Sequence, residues 1–218
     1  MYELIDKAKT YIPLDNIPII QDALDFASNA HLGQKRLSGE PFIEHPIKTA
    51  MFLADLNLDA TTLTAAILHD VIEDCDVDIV EIKDRFGPDV SALVDGVTKL
   101  SKIETLNNEH ARSNNYDNGQ SENIRKMLVA MAKDIRVVLI KLADRLHNMQ
   151  TLHAHEEHKR KIIAQETLEI YAPLAQRLGM WDIKWQLEDL SFEHVAPNDY
   201  KNMANFVASK REERERFI

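Results

Sequence analysis

Apolar residues recur at helical spacing almost from one end of the chain to the other. Ile124, Met127, Leu128 and Met131 fall at i, i+3, i+4 and i+7, and the two-residue alternation that a half-buried strand requires is scarce throughout. That periodicity predicts an all-α fold. Helix starts are expected at Asn16 with Pro18 behind it, at Glu44-His45-Pro46 and at Pro197-Asn198-Asp199, with stops at Gly87 and Gly179. A bundle of roughly ten helices results. At 218 residues and 44% hydrophobic content, the chain can bury one substantial core. The segment from Glu104 to Ser121 breaks the pattern with Asn107, Asn108, Asn114, Asn115, Asn118 and Gly119, and is expected to be a long mobile loop. Such a loop is either a tolerated surface insertion or a lid or regulatory loop. Ser209 to Arg216 is charged and helix-favouring without a stop signal, so it reads as part of a helix that a longer protein would continue.

The net charge of -10 argues against a general polyanion-binding surface, because affinity for nucleic acid comes chiefly from Lys and Arg neutralising phosphates. A small phosphorylated ligand held by a few local cations remains compatible. Cys75 is the only cysteine, which leaves no intramolecular disulfide and suits a reducing compartment. The sequence has no apolar run of the ~18 residues a membrane helix needs, and its start lacks the basic-then-apolar order of a signal peptide. A soluble, cytoplasmic protein is the expectation.

The densest chemistry lies in His69-Asp70-Val71-Ile72-Glu73-Asp74, which puts one imidazole and three carboxylates on about a turn and a half of helix. The residues just before it, Thr62-Leu63-Thr64-Ala65-Ala66-Ile67-Leu68, are small or apolar, as in a helix entering a core. An acidic cluster there is costly unless a cation neutralises it. His69 and Asp70 point about 100° apart and can share an ion, while Glu73 and Asp74, one turn on, can flank its water without binding it. Further ligands must come from elsewhere. His45 stands at a helix start, and Asp144 follows the apolar run Val137-Val138-Leu139-Ile140 by four residues, where a carboxylate needs a partner. Two His and two Asp form a mixed nitrogen and oxygen set suited to Mn²⁺ or Fe²⁺. The plainer alternative has His45 capping a helix and Asp144 paired with Lys141 or Arg145. His147, at i+3 from Asp144, either orients a ligand or is simply buried and hydrogen-bonded. His153, His155 and His158 sit among charges and are expected at the surface.

Five ordered motifs carry a resemblance. They are Arg36-Leu37-Ser38-Gly39-Glu40-Pro41-Phe42-Ile43-Glu44-His45-Pro46, the hexapeptide, Asp95-Gly96-Val97-Thr98-Lys99-Leu100, Lys141-Leu142-Ala143-Asp144-Arg145-Leu146-His147-Asn148-Met149, and Glu166-Thr167-Leu168-Glu169-Ile170-Tyr171-Ala172-Pro173-Leu174-Ala175. Together they resemble the hydrolase domain of long Rel/SpoT-type alarmone enzymes, within the HD superfamily of metal-dependent phosphohydrolases. The resemblance implies an HD-type helical bundle over residues 1–195. It also implies that 196–218 is the helical start of a connection to a synthetase domain, with regulatory domains beyond.

By that resemblance His45, His69, Asp70 and Asp144 hold the metal, usually Mn²⁺, and Glu73 and Asp74 are the catalytic acidic pair. The implied reaction removes pyrophosphate from the ribose 3′ position of guanosine tetra- or pentaphosphate, leaving GDP or GTP. Arg36 matches a residue that packs on the guanine ring, a contact suited to a planar cation. Ser38, Asn148 and Thr151 match nucleoside-pocket positions, and Asp144, Asn148 and Thr151 are spaced to share a helix face. Arg145 and Lys161 are candidate phosphate contacts, with surface ion pairing as the alternative. Leu37 departs from the basic residue common at its position in the family. Two other readings compete: an HD phosphohydrolase acting on a deoxynucleotide or cyclic nucleotide, and a non-catalytic module that binds the alarmone.

Overall fold

The computed structural model describes residues 2–110, 129 and 133–215, with side chains described for all of these except 103–110 and 208–215. Among the described residues the regular structure is helical, apart from an isolated antiparallel bridge between Lys35 and Pro41. It divides into two compact units, Met1–His147 and Asn148–Ile218. No described helix is long and apolar enough to cross a membrane.

In the first unit, α1 (Tyr2–Lys9), α2 (Ile17–Ala30) and α3 (Glu44–Asp55) lead into α4 (Ala60–Leu68), which packs against α2, α3 and later α7. All the residues of α4 except Thr61 are buried, so it is the central rod, as its apolar sequence requires. Asp59 starts it by accepting from the Thr62 amide at 3.0 Å. The single turn α5 (Val71–Asp74) follows, then α6 (Ile79–Phe86), opened by Asp78 accepting from the Val80 amide at 2.9 Å. Gly87 stops α6 at φ +89°, a left-handed conformation that side chains resist. The expected boundaries at Asn16, Glu44, Gly87, Gly179 and Pro197 are all found.

Helix α7 (Pro88–His110) corrects one expectation. Glu104 to His110 continue the helix instead of entering a loop, since nothing from Leu100 to His110 is Gly or Pro and a helix already propagating gains a hydrogen bond with each residue added. The rest of the expected loop, 111–121, and the Ile124 to Met131 periodicity lie outside the described residues. Helix α8 (Ile135–Gln150) carries the apolar run Val137 to Ile140.

The second unit contains α9 (Glu157–Glu166), α10 (Ala172–Arg177), α11 (Trp181–Val195) and α12 (Pro197–Glu215), with α9 and α10 packed on α11. Between α9 and α10 the backbone widens into a π-turn over Thr167–Tyr171, in which the Ala172 amide bonds the Thr167 carbonyl. Pro173 accounts for the widening, because it has no N–H to offer and its ring cannot fit against the carbonyl four residues back.

Gly96 sits in α7 where a Cβ would lie 2.8 Å from Val137 Cγ2. Gly96→Ala should therefore destabilise the protein by about 1–3 kcal/mol, reversing the usual gain of replacing a helical glycine. Thermal melts of Gly96→Ala, Val137→Ala and the double variant test this, with the double variant expected to be more stable than the summed single effects allow.

Candidate functional site

The acidic hexapeptide is not one continuous helix. Helix α4 ends at Leu68, His69 and Asp70 form a turn, and α5 begins at Val71. The His69 ring takes part in this break: its Nδ1 donates to the Ala66 carbonyl at 2.7 Å. The Asp70 carbonyl then accepts from the Glu73 and Asp74 amides at 3.1 and 2.9 Å, which starts the new turn.

That bond fixes the His69 tautomer. With Nδ1 donating, Nε2 is the atom that faces the site, where it is buried and makes no hydrogen bond. Asp70 Oδ1 lies 3.1 Å from it and Asp144 Oδ1 3.9 Å. A parallel argument holds for His45. Its Nδ1 lies 2.7 Å from His147 Nδ1, and the Arg36 guanidinium points Nη1 at the same His147 nitrogen from 3.4 Å. A guanidinium can only donate, so His147 Nδ1 accepts and His45 Nδ1 must carry the hydrogen. His45 Nε2 is left facing Asp144 Oδ1 at 3.1 Å and Asp70 Oδ2 at 3.4 Å. Burial, then His45 and Arg36, press the His147 pKa down to about 3, which keeps that ring a neutral acceptor.

His45, His69 and Asp70 thus offer three donor atoms within 4.8 Å of one another, with Asp144 Oδ1 alongside. Adjacent donors around a small divalent ion with bonds of about 2.1 Å lie about 3 Å apart, so the set fits such an ion. The orphaned His69 Nε2 is what a cation would satisfy. Asp144 also meets the plainer expectation, since its Oδ2 accepts from Lys141 Nζ at 2.9 Å. Burial alone would raise the Asp144 carboxyl, but Lys141 and the two imidazoles outweigh it and hold it well below the ordinary value.

The acidic pair reaches solvent beside this cluster. Glu73 is pushed up to about 7, first by desolvation and then by Asp70, with its hydrogen bond to Ser101 working the other way. Asp74 is raised by the same two causes. Its carbonyl is tied down by Gln34 Nε2 at 3.0 Å. Arg36 stands in a tight hairpin closed by Arg36 N to Glu40 O and Phe42 N to Gln34 O, at 2.9 and 3.0 Å. Gly39 turns the hairpin at φ +90°. Ser38 Oγ turns to Glu40 at 3.5 Å, and Leu37 is exposed. Arg145 is buried.

The second unit holds the other candidates. Asn148 lies in the last turn of α8, which stops at Gln150, so Thr151 leaves the helix and donates to the Asn148 carbonyl at 3.4 Å. Lys161 pairs with Glu157 at 3.1 Å and lines a cavity of about 370 Å³ with Arg160, His194, Tyr200 and Lys201. His153 and His158 are exposed and His155 half-buried. Sequence reasoning missed Ser101 and Gln34, whose partners are remote in the chain and leave no local spacing signal.

The HD domain family matches residues 23–181, which include the whole cluster. The chain belongs to the HD domain family. This HD domain is 48% identical over 199 residues to the guanosine-3′,5′-bis(diphosphate) 3′-pyrophosphohydrolase of Aquifex aeolicus, covering 91% of this chain and 27% of that protein. It is equally similar over 210 residues to the bifunctional (p)ppGpp synthase/hydrolase SpoT of Escherichia coli K12, covering 96% of this chain and 29% of that protein. The chain therefore spans less than a third of these curated relatives. A solved metazoan orthologue of SpoT, described as hydrolysing ppGpp, matches with a TM-score of 0.57 at 25% identity, covering 82% of this chain and 96% of that one.

Replacing His147 by Phe keeps the ring's bulk but removes the acceptor that orients His45. Mn²⁺ affinity measured by calorimetry should fall about 10- to 100-fold, and an unchanged affinity would refute the orienting role. Glu73 gives a pH signature in metal-free protein. Its folded pKa of about 7 lies above the ordinary 4.5, so the native state keeps a proton that the unfolded chain loses. Stability therefore falls as pH rises from 4.5 to 7. Glu73→Gln should melt higher than wild type at alkaline pH, by at most about 1 kcal/mol given the group's solvent screening, and equally at acid pH.

Proposed function

We propose that this HD domain hydrolyses the 3′-pyrophosphate of guanosine tetra- and pentaphosphate, releasing pyrophosphate and GDP or GTP. The observation that carries the reading is the pair of imidazole Nε2 atoms turned toward the Asp70 and Asp144 carboxylates, with Glu73 and Asp74 beside them. The names of the relatives at 48% identity support the substrate.

His45, His69, Asp70 and Asp144 are the proposed ligands, and Mn²⁺ the proposed ion, with Fe²⁺ or another divalent ion as substitute. When bound, such an ion supplies a Lewis acid for phosphate oxygens and lowers the pKa of water. Glu73 acts as the base: a carboxyl that titrates near neutrality takes a proton from the attacking water more readily than an ordinary glutamate does. Asp74 orients that water from the next position on the turn. Arg36 lies flat against guanine while His147 anchors its Nη1. Ser38, Asn148 and Thr151 are proposed nucleoside contacts, and Arg145 and Lys161 proposed phosphate contacts. The catalytic domain is proposed to span 1–195, with 196–218 leading toward a synthetase domain, in a cytoplasmic protein.

Pyrophosphate release from guanosine tetraphosphate tests the reading. Mn²⁺ should support turnover and chelator should abolish it. Asp70→Ala should lose metal, whereas Glu73→Gln should keep metal and lose turnover by about 100-fold or more. Faster cleavage of dATP or a cyclic dinucleotide would reassign the substrate, and full activity in either variant would overturn the roles.

A further inference from the structure

Between the metal ligands and the acidic pair lies a polar chain that uses three helices. Lys141 on α8 is buried, and its Nζ lies 2.9 Å from Asp144 Oδ2 and 3.0 Å from Ser101 Oγ on α7. The Ser101 hydroxyl is also close enough to the Glu73 carboxyl on α5 to draw its pKa down by hydrogen bonding, as Lys141 does by its charge. Bond directions follow from the chemistry of the groups. An ammonium has three hydrogens and no lone pair, so Ser101 Oγ accepts from Lys141. An ionised carboxylate only accepts, so the hydroxyl hydrogen joins Ser101 to Glu73. Lys141 thus donates to both Asp144 and Ser101, and Ser101 donates onward to Glu73.

We propose that Ser101 is a positioning residue for the hydrolysis, holding the Glu73 carboxylate in the direction from which it meets the attacking water. The inference rests on the reading of Glu73 as the base. Glu73 needs such a brace because it stands on a single helical turn with its side chain reaching solvent, where several rotamers are open to it. A hydroxyl fixed by a buried ammonium selects one of them. The brace starts from Asp144, so Glu73 is placed relative to the proposed metal ligands by side chains as well as by backbone. Misplacing a reacting group by about 1 Å costs about 100-fold in rate, which sets the scale of the effect.

The test compares Ser101→Ala and Ser101→Thr in the Mn²⁺-loaded protein. Ser101→Ala should lower kcat for guanosine tetraphosphate about 10- to 100-fold, with KM and Mn²⁺ affinity within about twofold of wild type and native circular dichroism at the assay temperature, although the melting temperature falls because buried Lys141 loses an acceptor. Ser101→Thr, which keeps the hydroxyl, should recover most of kcat. In a Glu73→Gln background, Ser101→Ala should have little further effect, because the group it positions is gone. Wild-type kcat in Ser101→Ala, additive losses in the double variant, or loss of Mn²⁺ affinity would each overturn the proposal. Full turnover by Glu73→Gln alone would instead sink the reading of Glu73 as the base.

Discussion

Two aspartates and two histidines share a space at the end of the most buried helix of the first unit, and the arrangement there answers to their charge. Asp144 is 4% exposed, and its carboxylate lies 3.1 Å from His45 Nε2. Stripping water from such a group is expensive unless opposite charge or hydrogen-bond donors replace it. Lys141 satisfies one oxygen of Asp144, which leaves the other, together with Asp70, directed at the imidazole nitrogens. The rings in turn are locked from behind, His69 by the Ala66 carbonyl and His45 by His147. Each lock uses Nδ1 and turns Nε2 toward the two carboxylates, the orientation a cation-binding set requires.

The break in the helix at His69 and Asp70 serves the same end. Residues one turn apart on a straight helix would share a face, but the chain makes a turn at His69 and Asp70 and starts afresh at Val71. His69 stays in the core while Glu73 and Asp74 reach solvent. Asp144 and Glu73 are thus set apart by their surroundings. Asp144, beside Lys141, is held well below its ordinary pKa, and Glu73, desolvated beside Asp70, is raised toward neutrality.

Much of this was legible in the chain itself. The helical period, the helix starts marked by Pro18, Pro46 and Pro197 and the stops at Gly87 and Gly179 act within one or two turns, so local sequence specifies them. His45, His69, Asp70 and Asp144 were candidates because such groups beside apolar runs demand a partner. The reading failed where local composition was ambiguous. The asparagines from Asn107 onward suggested a loop, yet α7 continues to His110, because helix propagation outweighs the modest propensity cost of Asn.

Sequence alone therefore determined the fold class and brought His45, His69, Asp70, Asp144, Glu73 and Asp74 forward as candidates, since these depend on residue type and short-range spacing. Tertiary structure decided which imidazole nitrogen faces the site, that Asp144 serves Lys141 and the histidines together, and that Lys141 reaches Ser101. Those outcomes depend on hydrogen bonds between residues 102 apart, as for His45 and His147, or 40 apart, as for Ser101 and Lys141. No periodicity encodes such pairs, because only the packing of whole helices brings them within reach.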